Sequence, residues 1–169
     1  MATGTLAGAE VCSFISGEED SALRGVVKRI EEYIRQERER NGDVAMGCVR
    51  LEAKNGFFGI VYEKPGGSSA QYEASYEPGR GFLMMGPDGQ PMVETDPDRV
   101  FERFRAVIDD IPAQRRAAIA EKLAEWRASG YNGCRLIALI MSFNGHYDGT
   151  RGGQLTPEEI RYAVRSATS

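Results

Sequence analysis

The chain is poor in the residues that most often carry chemistry. Its 169 residues include one histidine, three cysteines and one tryptophan. A single histidine excludes metal centres built on histidine clusters. Cys12, Cys48 and Cys134 are odd in number and irregular in spacing. They suit neither a disulfide framework nor a zinc site, and they point to a reducing cytoplasm. No apolar run approaches the roughly 18 residues that a membrane span requires. The first ten residues lack a positive segment followed by a sustained apolar one, so they do not read as a secretory signal. Basic residues are not in excess either. A net charge of −4 and a pI near 5.2 argue against a nucleic-acid surface, which needs a basic face. The phosphate loop, the nucleophile elbow and the dinucleotide fingerprint are all missing.

What is present is the composition of a folded domain: 41% hydrophobic and 27% charged residues. The length suits one domain, read here as 16–169 behind a loose arm at 1–15. Ser16 and Glu19 form a capping box for a first helix. Leu23, Val26, Val27, Ile30 and Ile34 follow at helical spacing, and Asn41-Gly42 ends the helix. The charges between Lys28 and Arg40 alternate in sign, as on a solvated helix face with intrahelical pairs.

Residues 44–94 read as an antiparallel meander of four or five strands. Segments 44–52 and 57–63 flank Asn55-Gly56, a strong hairpin signal. Segments 71–76 and 81–85 flank Pro78-Gly79-Arg80, and 92–94 follows the turn at Pro87-Asp88-Gly89. Phe58, Tyr62, Tyr72, Tyr76 and Phe82 belong to these strands, where aromatics are favoured. A helix starting at Thr95-Asp96-Pro97 carries Val100, Phe101, Phe104, Val107 and Ile108 on one face. Pro112 opens the next, with Ile119, Leu123 and Trp126 inward. In 134–143, leucine, alanine and methionine favour a helix, while brevity and unbroken apolarity allow a buried strand; propensity favours the helix. The fold class is therefore α+β: a meander sheet at about 44–94 packed against an N-terminal helix and a C-terminal helical segment, with the helices between Pro97 and Trp126 on one sheet face.

The segment 148–160 combines a glycine-rich loop with a helix start. Thr156, Pro157 and Glu159 make a capping box with proline at the first helical position. The same residues resemble the calcium loop of the EF-hand family. Counting from Asp148, Gly153 falls at the sharp turn, Leu155 at the apolar position and Glu159 at the bidentate carboxylate. The resemblance implies calcium ligands at Asp148, Thr150, Gly152, Gln154 and Glu159. The chain departs from the family at Thr150 and Gly152, where the family places side chains such as Asp or Asn. Glu158 and Glu159 oppose an anion at the same helix start.

Asn132-Gly133-Cys134 followed by His146 is loosely similar to the Ser-Gly-Cys…His arrangement of toxin-type glutamine deamidases. That similarity implies a Cys134 nucleophile and a His146 base; Asp148, two residues on, is placed in the sequence to orient the imidazole. Without it, Cys134 reads as a small buried packing residue and Cys48 as a core residue within a strand. Because the polar residues converge on no recognised reaction, the leading expectation is a non-enzymatic protein-binding module, such as an adaptor, chaperone-like or immunity-type partner. It uses no cofactor and no nucleic-acid or membrane partner. The alternatives are a cysteine-dependent hydrolase or deamidase and a calcium-responsive module.

Overall fold

The structure, a computed structural model, describes residues 21–54, 56–145 and 151–169. The capping box at Ser16 and Glu19 lies outside them. Among the described residues the order is α1 (Ser21–Asn41), β1 (Arg50–Lys54), β2 (Phe57–Glu63), β3 (Ser69–Glu77), β4 (Gly81–Met85), β5 (Pro91–Glu94), α2 (Pro97–Asp109), α3 (Ile111–Ala128), α4 (Gly133–Gly145) and α5 (Pro157–Thr168). A short 3-10 turn, Arg151–Gly153, precedes α5. The strands form one antiparallel sheet in sequence order, as expected of a meander. No described helix is long and apolar enough to cross a membrane.

The chain divides into two compact units. Among the described residues, the first comprises 21–40, 49–54, 56–61 and 71–109, and the second 41–48, 62–70, 110–145 and 151–169.

In the first unit, α1 buries Val26, Val27, Ile30 and Ile34, the stripe its spacing predicts. It meets α2 through an edge-on contact of Tyr33 with Phe101, and Arg29 lies over the Phe101 ring. Tyr33 donates to Asp109, and burial together with that carboxylate pushes its phenol up to about 12. One sheet face carries Leu51, Ala53, Phe58, Ile60, Ala74, Phe82 and Met84, all buried. Phe104 of α2 stacks on Phe58 with centroids 5.4 Å apart and meets Tyr72 edge-on at 4.9 Å. Phe58 and Phe82 are thus core residues, consistent with the strand preference of aromatics.

The first strand is shorter than predicted. It begins at Arg50, and 43–48 is a run of turns. Gly47 and Cys48 both have positive φ, 61° and 49°. Two successive left-handed residues cannot continue a pleated strand, and a side chain rarely tolerates that region. Cys48 is accordingly a half-buried turn residue, not a strand residue of the core.

In the second unit, α3, α4 and α5 pack around Ile119, Leu123, Leu136, Ile140, Leu155, Ala163 and Ala167. Trp126 meets Phe143 edge-on at 5.6 Å. The segment 134–143 is a helix, as propensity predicts. The two helices expected between Pro97 and Trp126 are both present, as α2 and α3. α2 belongs to the first unit; α3 shares a core with α4 and α5 in the second, and its Gln114 and Arg115 bond to Tyr62 and Glu63 of β2. Ile119 and Leu123 do face inward, but their partners are the apolar residues of α4 and α5.

Candidate functional site

The side chains singled out by the sequence are placed as follows. Cys134 is exposed at the first turn of α4, not buried. The residues following it turn Leu136 and Ile140 inward and leave the thiol on the opposite side. His146, Asp148 and Thr150 lie outside the described residues. Cys48 neighbours Asp43, Glu63 and Arg151; burial first, then the two carboxylates, raise its thiol pKa. That environment disfavours the thiolate, the reactive form of a cysteine. No group of three or more His, Cys, Asp or Glu is placed to hold a metal among the described residues.

Gly152, Gln154 and Glu159 do converge, on a residue that the sequence did not mark. Arg115 of α3 is fully buried. Its Nε donates to Glu159 Oε2 at 2.9 Å and its Nη2 to Glu159 Oε1 at 3.0 Å. Nη1 donates to the carbonyls of Glu63 at 2.8 Å and Gly152 at 2.5 Å, and Nη2 also to that of Gln154 at 2.7 Å. A guanidinium has five N–H donors, and all five are used. Glu159 Oε1 additionally accepts from the Thr156 amide at 2.8 Å, while Glu159 donates its own amide to Thr156 Oγ1 at 3.1 Å. The predicted capping box is therefore present, and its carboxylate is shared with a buried cation.

Local geometry supports this node. A Cβ on Gly152 would fall 2.7 Å from the Glu63 Cβ and 2.9 Å from the Gly47 carbonyl carbon, so only glycine fits. Three of the five positions expected to ligate calcium thus turn their oxygens on Arg115. The arrangement satisfies a buried charge by a bidentate carboxylate and three carbonyls. It is suited to holding the turn and the start of α5 together.

The second notable region is the sheet face opposite Phe104. Alternation carries Phe57 and Val61 of β2, Leu83 and Met85 of β4, and Pro91 and Val93 of β5 to this face. Phe57 is 55% exposed, Met85 45% and Val93 42%, three of the five large exposed apolar residues among those described. Two grooves run over the face, of about 620 and 450 Å³. They adjoin one another at Phe57, Gln71 and Glu73, which line both. The floor of the smaller one is Gly59, where a Cβ would lie 2.6 Å from the Tyr72 carbonyl oxygen. Glycine inside a strand commonly marks close backbone approach, and here it also removes a side chain from the surface. Arg50 and Glu52 pair at 3.2 Å beside it. The alternating pattern could have shown a two-faced sheet, but Phe57 and Phe58 are both aromatic, so hydrophobicity alone does not say which is outward.

No protein family, no curated protein and no solved structure matches this chain.

Proposed function

We propose that the chain is a protein-binding module that recognises its partner on the exposed sheet face. One observation supports this most: Phe57, Met85 and Val93 stand exposed together on one sheet face, around two adjoining grooves. Large exposed apolar residues gathered on one face are a feature of interaction sites, whereas single ones are ordinary. The grooves' apolar walls with a polar carboxylate, Glu73, where they adjoin suit side chains of another protein.

The test is site-specific photo-crosslinking with a benzophenone side chain at Phe57 or Val93, with the exposed α5 residue Arg161 as control. A discrete protein adduct from the first two positions and none from the control is expected. Equal, diffuse labelling from all three would remove the reading.

A further inference from the structure

The exposed sheet face is self-complementary in a way its register makes explicit. Cross-strand neighbours on this face form rows. One row runs Lys54, Phe57, Ser75, Leu83 and Val93. Lys54 is paired with Phe57, Ser75 with Leu83, and Leu83 with Val93. The adjacent row runs Glu52, Gly59, Glu73, Met85 and Pro91. Glu52 is paired with Gly59 and Met85 with Pro91, and Glu73 lies against Gly59.

We infer that this face binds a second copy of the same chain, face to face, about a two-fold axis that lies in the interface perpendicular to the strands and passes between these rows. The inference rests on the protein-binding reading above and names its partner. Such an axis lays each residue of the first row over its strand-mate in the second. Lys54 meets Glu52 of the second copy, an opposite charge already held by Arg50. The exposed Phe57 ring meets the depression over Gly59. Ser75 faces Glu73, a hydroxyl donor opposite a carboxylate acceptor. Leu83 meets Met85, and Val93 meets Pro91. The contact is isologous, so each pairing occurs twice. Charge falls on opposite charge, the bulky ring on the residue without a side chain, and apolar on apolar.

The other simple stacking is excluded by the same residues. An axis along β3 would put Glu73 on Glu73 and Lys54 on Val93, placing like charges together and a lysine on an apolar neighbour. Size sets the strength. Five strands about 4.8 Å apart span only about 20 Å. Two or three rows on that width cover less than the roughly 800 Å² per partner of a standard stable interface. The dimer is therefore reversible and concentration-dependent.

Sedimentation velocity on the full chain across a broad concentration series is the test. A monomer–dimer equilibrium is expected, weakened at least tenfold by Phe57→Ala. Lys54→Glu and Glu52→Lys, each alone, weaken it as well, and the double variant recovers a substantial part of the loss. Lys54 and Phe57 are exposed, so unchanged circular dichroism and thermal midpoints keep these comparisons interpretable. Dimerisation unaffected by Phe57→Ala, or double-variant losses that simply add, would overturn the inference. A monomer at every concentration overturns it too. The benzophenone variants then separate the two claims. An adduct with a different protein keeps the binding-module reading and removes the second copy; no adduct at all removes both.

Discussion

Arg115 and the Phe57 face invert the usual distribution of residues in opposite senses. One is a charge with no exposure; the other is a set of large apolar side chains with a great deal. A buried charge and an exposed apolar patch are the two informative departures from ordinary globular burial. The first is resolved inside the chain. Five donors find five acceptor contacts, and the carboxylate that neutralises the guanidinium also caps α5. The second is not resolved by the described residues. The departure that is internally satisfied reads as structure, and the one left open is where the proposed partner would bind.

The sharpest way to break this comparison is to remove the cation. Arg115→Ala leaves Glu159 charged and buried, and strips three carbonyls of their donor. The expected loss is about 3–5 kcal/mol in chemical denaturation, the range for breaking one side of a buried pair. Arg115→Lys, with three donors on a point charge, recovers only part of it. A loss below about 1 kcal/mol for the alanine variant would show a weakly structural pair, as for exposed ones.

Glu159→Gln comes next. The amide retains one oxygen for the Thr156 amide, but its NH₂ turns a donor toward Arg115 and the negative charge is gone. About 2–3 kcal/mol should be lost, as for a charge-assisted hydrogen bond with its partner left unpaired. A cost near that of a simple cap would assign the residue to capping alone. Thr156→Ala separates that smaller contribution: about 1 kcal/mol, from loss of the N-cap acceptor. The order Arg115→Ala, Glu159→Gln, Thr156→Ala measures how far the node exceeds an ordinary helix start.

Much of this was legible in the sequence where the determinants are local. The helix periodicities, the turns after β3 and β4, and the capping box all depend on residues a few positions apart, and each is found. The segment 44–52 was misread because its apolar content outweighed Gly47, whose left-handed backbone, continued at Cys48, holds the chain in turns. Arg115 was invisible for a different reason. Its acceptors lie 37 to 52 residues away in the chain, and the local Gln114-Arg115-Arg116 gives no sign of which side chain is buried. The calcium-like spacing at 148–159 did locate real acceptors, Gly152, Gln154 and Glu159, but could not show that an arginine supplies their positive partner. The exposed face was half legible: alternation predicts two faces, and only tertiary packing selects the one that Phe104 covers.

The smallest effect on stability should come from the exposed face, and it sharpens the comparison most. Met85→Gln and Val93→Thr each keep side-chain size while reducing apolar character, and neither residue is buried. Their unfolding free energies should stay within about 0.5 kcal/mol of the parent, as for surface positions free of caps or buried contacts. Association should fall in both, because Met85 and Val93 supply apolar area that is desolvated only in the complex. Arg115→Lys gives the mirror image: stability lost, but association unchanged per folded molecule. Denaturation and sedimentation on the same samples measure the two quantities together. If Val93→Thr destabilised the fold as much as it weakened association, the face would belong to the core after all, and the contrast with Arg115 would disappear.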